Sequence, residues 1–331
     1  MIADQLIDLH NKRPSTGEII VTLFEFCDLN CLFCNQDHTS ILGIDTIADK
    51  FEQIKLCIDQ LIPKGKKEFA IHIMGGEVFS DKLTDEVYDS YTQLVNKIKK
   101  YSIEKNIPIT IFFITNFVWT NTERVNKFIE DNDIRIMTSY DPAGRFNKNT
   151  LEIYKKNITD FKEYIESVNV IITKPTIDKF LNNQTPFFDY LYDNFSIYFD
   201  YYGPEKNQEY LLPRDVDVRN FMMFLIDNWP NSRPVNEYFS KTKKQMTCMD
   251  TYTVMPDGRW GGCGHFEHIE KIIPIKVVTE HKWLENYDCF SCEHFQRCSL
   301  GCFMSNHVNG MRTQSECWLK EVYDYVDTKQ T

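Results

Sequence analysis

The stretch from Ile19 to Tyr201 alternates short apolar runs with longer segments whose apolar residues recur at helical spacing. The predicted strands are 19–26, 69–74, 109–114, 134–139, 168–173 and 196–201, and the predicted helices lie near 45–61, 87–98, 122–130, 151–164 and 177–192. Strands connected through helices lie parallel, because a parallel pair needs a long crossover. The sequence therefore predicts an α/β fold, a partial (β/α)6 TIM-like barrel that stays open because it has fewer than the eight repeats of a closed one.

Notable polar segments follow four of these predicted strands. The first strand leads into a loop of three cysteines at 27–34, and the second ends in Gly75-Gly76-Glu77. Thr115-Asn116 ends the third strand, and Ser139-Tyr140-Asp141 ends the fourth. In parallel α/β sheets, ligands bind at the carboxyl ends of the strands. The functional site is therefore expected at this end of the barrel.

The loop after the first strand carries Cys27, Cys31 and Cys34, and three thiolates on one short loop indicate a metal site. Three is one ligand short of a closed four-thiolate site, so a [4Fe-4S] cluster held here would keep one iron free for chemistry. A zinc site completed by His38, or three reduced thiols in a folded core, are the alternatives. The spacing and the position after a strand favour the cluster.

The CxxxCxxC pattern, with Phe33 before its last cysteine, resembles the signature of radical S-adenosylmethionine enzymes. The resemblance implies that the free iron chelates the amino and carboxylate groups of S-adenosylmethionine. One electron then cleaves the sulfonium and gives a 5′-deoxyadenosyl radical. In such enzymes the cofactor performs the difficult chemistry, and the protein binds and orients it.

Further cofactor-binding residues follow from the same resemblance. Gly75-Gly76-Glu77 matches the family's GGE motif, in which backbone carbonyls and the acid meet the methionyl ammonium, although Val78 replaces the proline that often comes next. Residues at the third and fourth strand ends lie where relatives contact the ribose and the carboxylate. They are Thr115, Asn116, Ser139 and Asp141. Ordinary turn and cap roles are the alternative for these four residues.

A second set of cysteines occupies the C-terminal part of the chain. Its members are Cys248, Cys263, Cys289, Cys292, Cys298, Cys302 and Cys317. Their order and spacing resemble the auxiliary-cluster domain, called SPASM, of many radical S-adenosylmethionine enzymes. A zinc-ribbon-like fold that uses Cys289, Cys292, Cys298 and Cys302 is the alternative.

The SPASM resemblance implies two auxiliary clusters and therefore three [4Fe-4S] clusters in the whole chain. The outer cluster would be closed by Cys289, Cys292, Cys298 and Cys317, and the inner one would be held by Cys248, Cys263 and Cys302. The inner cluster then has an open iron or a further ligand such as His265, Asp257 or substrate. The implied domains are a lead-in at 1–17, a barrel at 18–204, a connector at 205–245, a SPASM domain at 246–320 and a tail at 321–331.

Composition limits the partners and the compartment. The net charge is −11 and the basic residues are scattered, so nucleic acid is a disfavoured partner. The N-terminus has no signal-peptide pattern and no apolar run reaches the ~18 residues that span a bilayer, so a cytoplasmic protein without a membrane partner is expected. In that compartment eleven cysteines indicate metal binding rather than disulfides.

Enzymes that resemble this pair of domains commonly modify ribosomal peptides, mature sulfatases or oxidise small molecules. Sulfatase-maturing relatives carry an acidic residue where this chain has Gly264, which makes that activity less expected. The leading hypothesis is an enzyme that crosslinks or oxidises a ribosomal peptide or protein. The alternatives are an oxidoreductase or isomerase of a sugar, cyclitol or nucleotide, and a non-catalytic zinc or iron-sulfur scaffold.

The implied reaction also needs partners and a proton acceptor. An external one-electron reductant such as flavodoxin or ferredoxin is expected. The short lead-in leaves no room for the winged-helix leader-binding domain fused to many peptide modifiers, so a peptide substrate would need a separate leader-peptide-binding protein or a direct groove. Tyr140, His265 and Asp257 are unranked candidates for a general base.

Overall fold

The computed structural model describes residues 15–34, 36–203, 208–240, 251–261, 289–295, 297–298 and 317–330. The strands in this part of the chain are β1 Thr16–Thr22, β2 Glu68–Met74, β3 Ile109–Thr115, β4 Arg135–Ser139, β5 Ile165–Ile172, β6 Ser196–Tyr201, β7 Thr251–Val254 and β8 Trp260–Gly261. The α-helices are α1 Lys50–Leu61, α2 Asp85–Lys105, α3 Thr122–Asn132, α4 Lys148–Asp160, α5 Lys174–Leu181, α6 Phe188–Asn194, α7 Asp215–Asn228, α8 Val235–Tyr238 and α9 Trp318–Gln330. None of the described helices is long and apolar enough to cross a membrane.

All the described strands join one sheet in the order β6-β5-β4-β3-β2-β1-β7-β8. The pairs from β6 to β1, and the pair of β1 with β7, are parallel, and only β7 and β8 pair antiparallel. Helices connect β1 through β6 in succession. This order confirms the predicted α/β fold of parallel strands and crossover helices.

Side chains alternate between the two faces of this sheet, as the pleat requires. On β2, Ile71 and Ile73 are fully buried in the core with the helices, whereas His72 lies on the other face and is partly exposed. On β6, Ile197 and Phe199 are buried on one face, and Asp200 lies on the opposite, partly exposed face. We call the partly exposed side the open face, and it leads to the carboxyl strand ends.

Some elements differ from the sequence prediction. β1 ends at Thr22 rather than at residue 26, yet the chain beyond it still runs beside β2, because the N–H of Leu23 donates to the carbonyl of Met74 at 2.8 Å. The helix predicted at 177–192 is divided into α5 and α6. The interruption contains Asn183, with a φ of 53°, and Pro186, neither of which favours a continuous helix.

Two features were not predicted. β7 extends the barrel sheet beyond β1, with Ile20 opposite Thr253. The C-terminal helix α9 packs on α7, where Arg219 forms an ion pair with Glu321 at 2.6 Å. The segments predicted as a connector and a tail therefore contribute two helices that pack together.

Several predicted residues lie outside the described part of the chain. These are Cys248, Cys263, Cys302, Gly264 and His265, together with most of the predicted SPASM domain.

Candidate functional site

The cysteine loop follows β1 and lies at the carboxyl end of the sheet, as predicted. The N–H of Leu32 donates to the carbonyl of Gly144 at 3.0 Å, and Gly144 lies after β4. The Gln208 amide donates to the carbonyl of Cys34 at 3.2 Å, and Gln208 lies after β6. Segments from the far side of the sheet thus reach across and fix the loop.

The three thiols of this loop share one partly buried environment. Cys31 is buried, and Cys27 and Cys34 are half-buried. Burial, followed by the negative charge of Glu77 and of the other two thiols, raises the pKa of Cys27 to about 12. The pKa of Cys31 is also raised by burial, against the opposing effect of Arg145. Clustered thiols of this kind become thiolates when a cation binds among them.

Gly76 allows the end of β2 to lie directly against the start of the cysteine loop. A Cβ at this position would lie 2.0 Å from the carbonyl oxygen of Phe26 and 2.2 Å from that of Glu25. The N–H of Gly76 donates to the carbonyl of Phe24 at 2.9 Å. Gly75 is nearly as restricted, since its Cβ would lie 3.0 Å from the same Phe24 oxygen.

Glu77, the predicted ammonium acceptor, is fully buried and its carboxylate binds groups of this chain. Oε1 accepts hydrogen bonds from the Thr115 hydroxyl at 2.5 Å and from the Phe79 N–H at 2.9 Å. Oε2 accepts from the Asn116 N–H at 2.6 Å. Burial raises the pKa of Glu77 to about 7, although these hydrogen bonds oppose the rise. The carboxylate therefore joins the end of β2 to the end of β3.

Thr115 and Asn116 also have partners inside the protein. The Thr115 hydroxyl accepts hydrogen bonds from the indole N–H of Trp119 at 3.0 Å and the N–H of Phe117 at 3.3 Å, besides donating to Glu77. The Asn116 side chain accepts from the Val118 N–H at 2.7 Å. Both residues are at least 95% buried. They shape the loop after β3, which lies against the cysteine loop.

Asp141 has a partner that the sequence analysis missed. One of its carboxylate oxygens accepts from Nε of Arg145 at 2.7 Å, and the other accepts from the N–H of Ile171 at 2.8 Å. Burial lowers the pKa of Arg145, but Asp141, Cys31 and Tyr154 together raise it above its ordinary value, so the guanidinium stays charged. Its carbon lies 5.3 Å from the ring centroid of Phe33. In the sequence, the four-residue spacing of Asp141 and Arg145 was the signal that could have identified this ion pair.

A second polar pair lies on the open face, between β5 and β6. The Asn169 amide donates to a carboxylate oxygen of Asp200 at 2.6 Å. Burial raises the pKa of Asp200 to about 6, with Asn169 opposing the rise and Asp141 adding to it. Ser139, the predicted residue at the end of β4, is opposite Asn169 in the sheet register. In the sequence, this pair could have been found because Asn169 on β5 and Asp200 on β6 each alternate with apolar residues.

Four cysteines of the predicted outer cluster are described, and the loop that carries three of them lies against α9. Cys317 directly precedes this helix, and Cys289, Cys292 and Cys298 are half-buried like it. The ring Nε2 of His294 lies 2.7 Å from Asp324, and Arg297 pairs with Asp327 at 2.8 Å. These two contacts attach the loop to the helix.

A group of acidic and histidine side chains lies where this loop meets α9. Among the described residues, the one group of at least three histidine, cysteine or acidic residues with its ligand atoms within 4.8 Å is Glu293, His294 and Asp324. Lys320 already pairs with both of its acidic members, at 2.8 and 3.1 Å. The lysine ammonium therefore already compensates the charge of these two carboxylates.

Two of the proposed general bases have side chains engaged elsewhere, although Tyr140 directly follows β4. Tyr140 is buried among aromatic rings, and burial raises its pKa to about 12. Asp257 lies in the turn between β7 and β8 and pairs with Arg259 at 2.6 Å. Asp200, by contrast, lies on the open face.

The decisive comparison is with solved structures. The chain shares its fold with SuiB. The SuiB of Streptococcus suis matches with a TM-score of 0.53 and 15% sequence identity, over 96% of this chain and 80% of the SuiB chain. At that identity the similarity shows the fold alone.

The other comparisons add no relative. An endo-β-N-acetylglucosaminidase from Cordyceps militaris matches 98% of this chain and 95% of its own at 8% identity, but its TM-score of 0.27 carries no structural argument. No family model matches the chain. No curated protein matches it either.

Proposed function

We propose that this chain is a radical S-adenosylmethionine enzyme. The observation that carries the proposal is the position of the CxxxCxxC loop. Its three thiols lie together at the carboxyl end of a parallel sheet, beside Gly76, the buried Glu77 and the charged Arg145. The fold shared with SuiB supports a site at the strand ends.

The residues at this site fit a cluster and its bound S-adenosylmethionine. Cys27, Cys31 and Cys34 would hold three irons and leave the fourth for the cofactor. Sulfur of Cys27 already receives the N–H of Leu29 at 3.4 Å, a contact that suits a thiolate ligand. When bound, the pair supplies a 5′-deoxyadenosyl radical that removes a hydrogen atom from substrate.

The residues of this chain would bind and orient the cofactor and the substrate, and they would exclude water from the site. Gly75 and Gly76, which let the end of β2 lie against the cysteine loop, would present backbone carbonyls to an ammonium group there. Arg145 engages Asp141 through Nε, which fixes a charged guanidinium against the cysteine loop for a carboxylate ligand. Asp200 and Asn169 form the wall of the open face on the substrate side.

The finer proposal is oxidative modification of a ribosomal peptide or protein. Its support is the second cysteine group next to α9, which fits an auxiliary cluster that accepts an electron from the substrate. The reductant, the leader-binding partner and the cytoplasmic location remain parts of this proposal.

The test uses anaerobically reconstituted protein with dithionite, S-adenosylmethionine and candidate cysteine- or aromatic-rich precursor peptides. We expect 5′-deoxyadenosine in every reaction with wild-type protein, and a peptide mass lower by two hydrogens with the true substrate. Cys34→Ala should abolish both products, whereas Cys57→Ala in the core should retain them. Absence of 5′-deoxyadenosine from reduced wild-type protein that contains iron would contradict the proposal.

A further inference from the structure

We infer that Asn116 is a positioning residue for the first cluster, because its side-chain amide donates a hydrogen bond to the sulfur of Cys27. The inference rests on the proposed function, since it concerns the cluster that Cys27 would hold. Nδ2 of Asn116 lies 3.8 Å from the sulfur, and the Leu29 N–H is a second donor at 3.4 Å. Sulfur is larger than oxygen, so its hydrogen bonds are longer.

The orientation of this amide is fixed by its neighbour. Oδ1 of Asn116 accepts the backbone N–H of Val118 at 2.7 Å. Only the oxygen of an amide can accept a hydrogen bond, so the NH2 group must be the end that faces Cys27. The side chain is only 5% exposed, which keeps competing water away from the contact.

The backbone of Asn116 is fixed as firmly as its side chain. Its N–H donates to Glu77 Oε2 at 2.6 Å, and Glu77 is fully buried. The other carboxylate oxygen binds Thr115 and Phe79. Glu77 therefore acts on the cluster through Asn116, and its three protein partners give it a different task from the ammonium contact that the GGE resemblance implies.

The expected consequence is electrochemical. Reduction adds negative charge to a cluster, and hydrogen bonds to its sulfurs stabilise the reduced form. Loss of the Asn116 donor should therefore make the first cluster harder to reduce. Asn116→Asp is the sharpest variant, because it keeps an oxygen for the Val118 N–H and places an oxygen where the NH2 group was.

Asn157→Asp is the matched control. Asn157 is also buried, and its Nδ2 donates to the carbonyls of Phe117 and Trp119 at 3.0 and 2.8 Å. It therefore supports the same loop after β3, but it has no contact with Cys27 in the described structure. The same substitution at both positions separates the loss of the sulfur contact from the addition of a carboxylate to this loop. Asn116→Ala removes the donor without adding charge and serves if Asn116→Asp does not fold.

The measurement is a redox titration of the reconstituted holoprotein, followed by the electron paramagnetic resonance signal that S-adenosylmethionine perturbs. At the potential where this cluster is half reduced in wild type, we expect the ratio of reduced to oxidised cluster to fall about tenfold in Asn116→Asp, which is about 59 mV for one electron. A smaller fall is expected in both Asn116→Ala and Asn157→Asp.

Two results would overturn the inference. One is a wild-type potential in both Asn116 variants. The other is weaker binding of S-adenosylmethionine with an unchanged potential in its absence, which would make Asn116 a direct ligand of the cofactor. Wild-type protein that binds no iron would instead contradict the proposed function, so the two failures are distinguishable.

Discussion

Glu77 is the residue through which the ends of β2 and β3 are joined. Its carboxylate is buried and receives three hydrogen bonds, two from backbone N–H groups and one from Thr115. Burial nevertheless raises its pKa to about 7, above the ordinary value of 4.5. The folded protein therefore holds this proton more tightly than the unfolded chain does.

The cluster-free protein should lose stability as the pH rises through the pKa of Glu77. Because the pKa of Glu77 is higher in the folded protein than in the unfolded chain, the group stabilises the fold at pH values below its unfolded pKa. That contribution disappears as the pH rises through about 7. We expect the free energy of unfolding to fall by about 3 kcal/mol between pH 4.5 and pH 8 from this group alone. Urea unfolding of wild type and Glu77→Gln at both pH values measures it. Parallel pH dependence in the two proteins would contradict the assignment.

Gly76 should be intolerant of any side chain. In Gly76→Ala the new Cβ meets backbone oxygens at 2.0 and 2.2 Å, so the cysteine loop must move. We expect iron per chain after reconstitution to fall by about four. Gly65→Ala is the control, because it has a positive φ of 88° but nothing within 4 Å of its Cβ. It should cost about 1 kcal/mol and keep its iron. Equal iron in both variants would show that the Gly76 contact is dispensable.

At the scale of elements, β4 and β5 are connected by a buried charge pair. Asp141 follows β4 and binds both the Ile171 N–H on β5 and the Arg145 side chain before α4. Neither side chain is more than 11% exposed. Removal of one partner from such a pair leaves an uncompensated buried charge.

The expected cost follows from that burial. Arg145→Met alone should lower the free energy of unfolding of the cluster-free protein by about 3 kcal/mol or more. The double variant with Asp141→Asn should lose less than the sum of the two single losses, because no charge is left unpaired. Urea denaturation of the four proteins gives the coupling. Additive losses would show that the two side chains act independently.

The C-terminal helix α9 and its preceding Cys317 form another unit. The loop at 289–298 attaches to this helix through Asp324 and Asp327. Cys317→Ala should remove about four irons while dithionite-dependent 5′-deoxyadenosine is still formed, because the first cluster lies on a separate loop. Cys57→Ala, in the core, should keep all the iron. Loss of every cluster from Cys317→Ala would contradict two independent sites.

At the scale of the whole molecule, the sequence predicted the parallel sheet from alternating apolar runs and segments of helical spacing. Both patterns are local, so they can be recognised without the fold. The division at Asn183 and the pairing of β7 with β1 were missed, since a short strand far along the chain gives no local signal for its partner. Cys27, Glu77 and Asp141 were found from motifs and strand ends. Arg145, Asn169 and Asp200 were missed, because their importance depends on contacts between segments that only the fold brings together.

The most direct test of the account is the iron and sulfide content of wild type and of the variant with Cys27, Cys31 and Cys34 all changed to Ala, with 5′-deoxyadenosine measured in the same samples. We predict about twelve irons and dithionite-dependent product for wild type, and about four fewer irons without product for the variant. Zinc in place of iron, or equal product from both proteins, would contradict a radical mechanism at this loop.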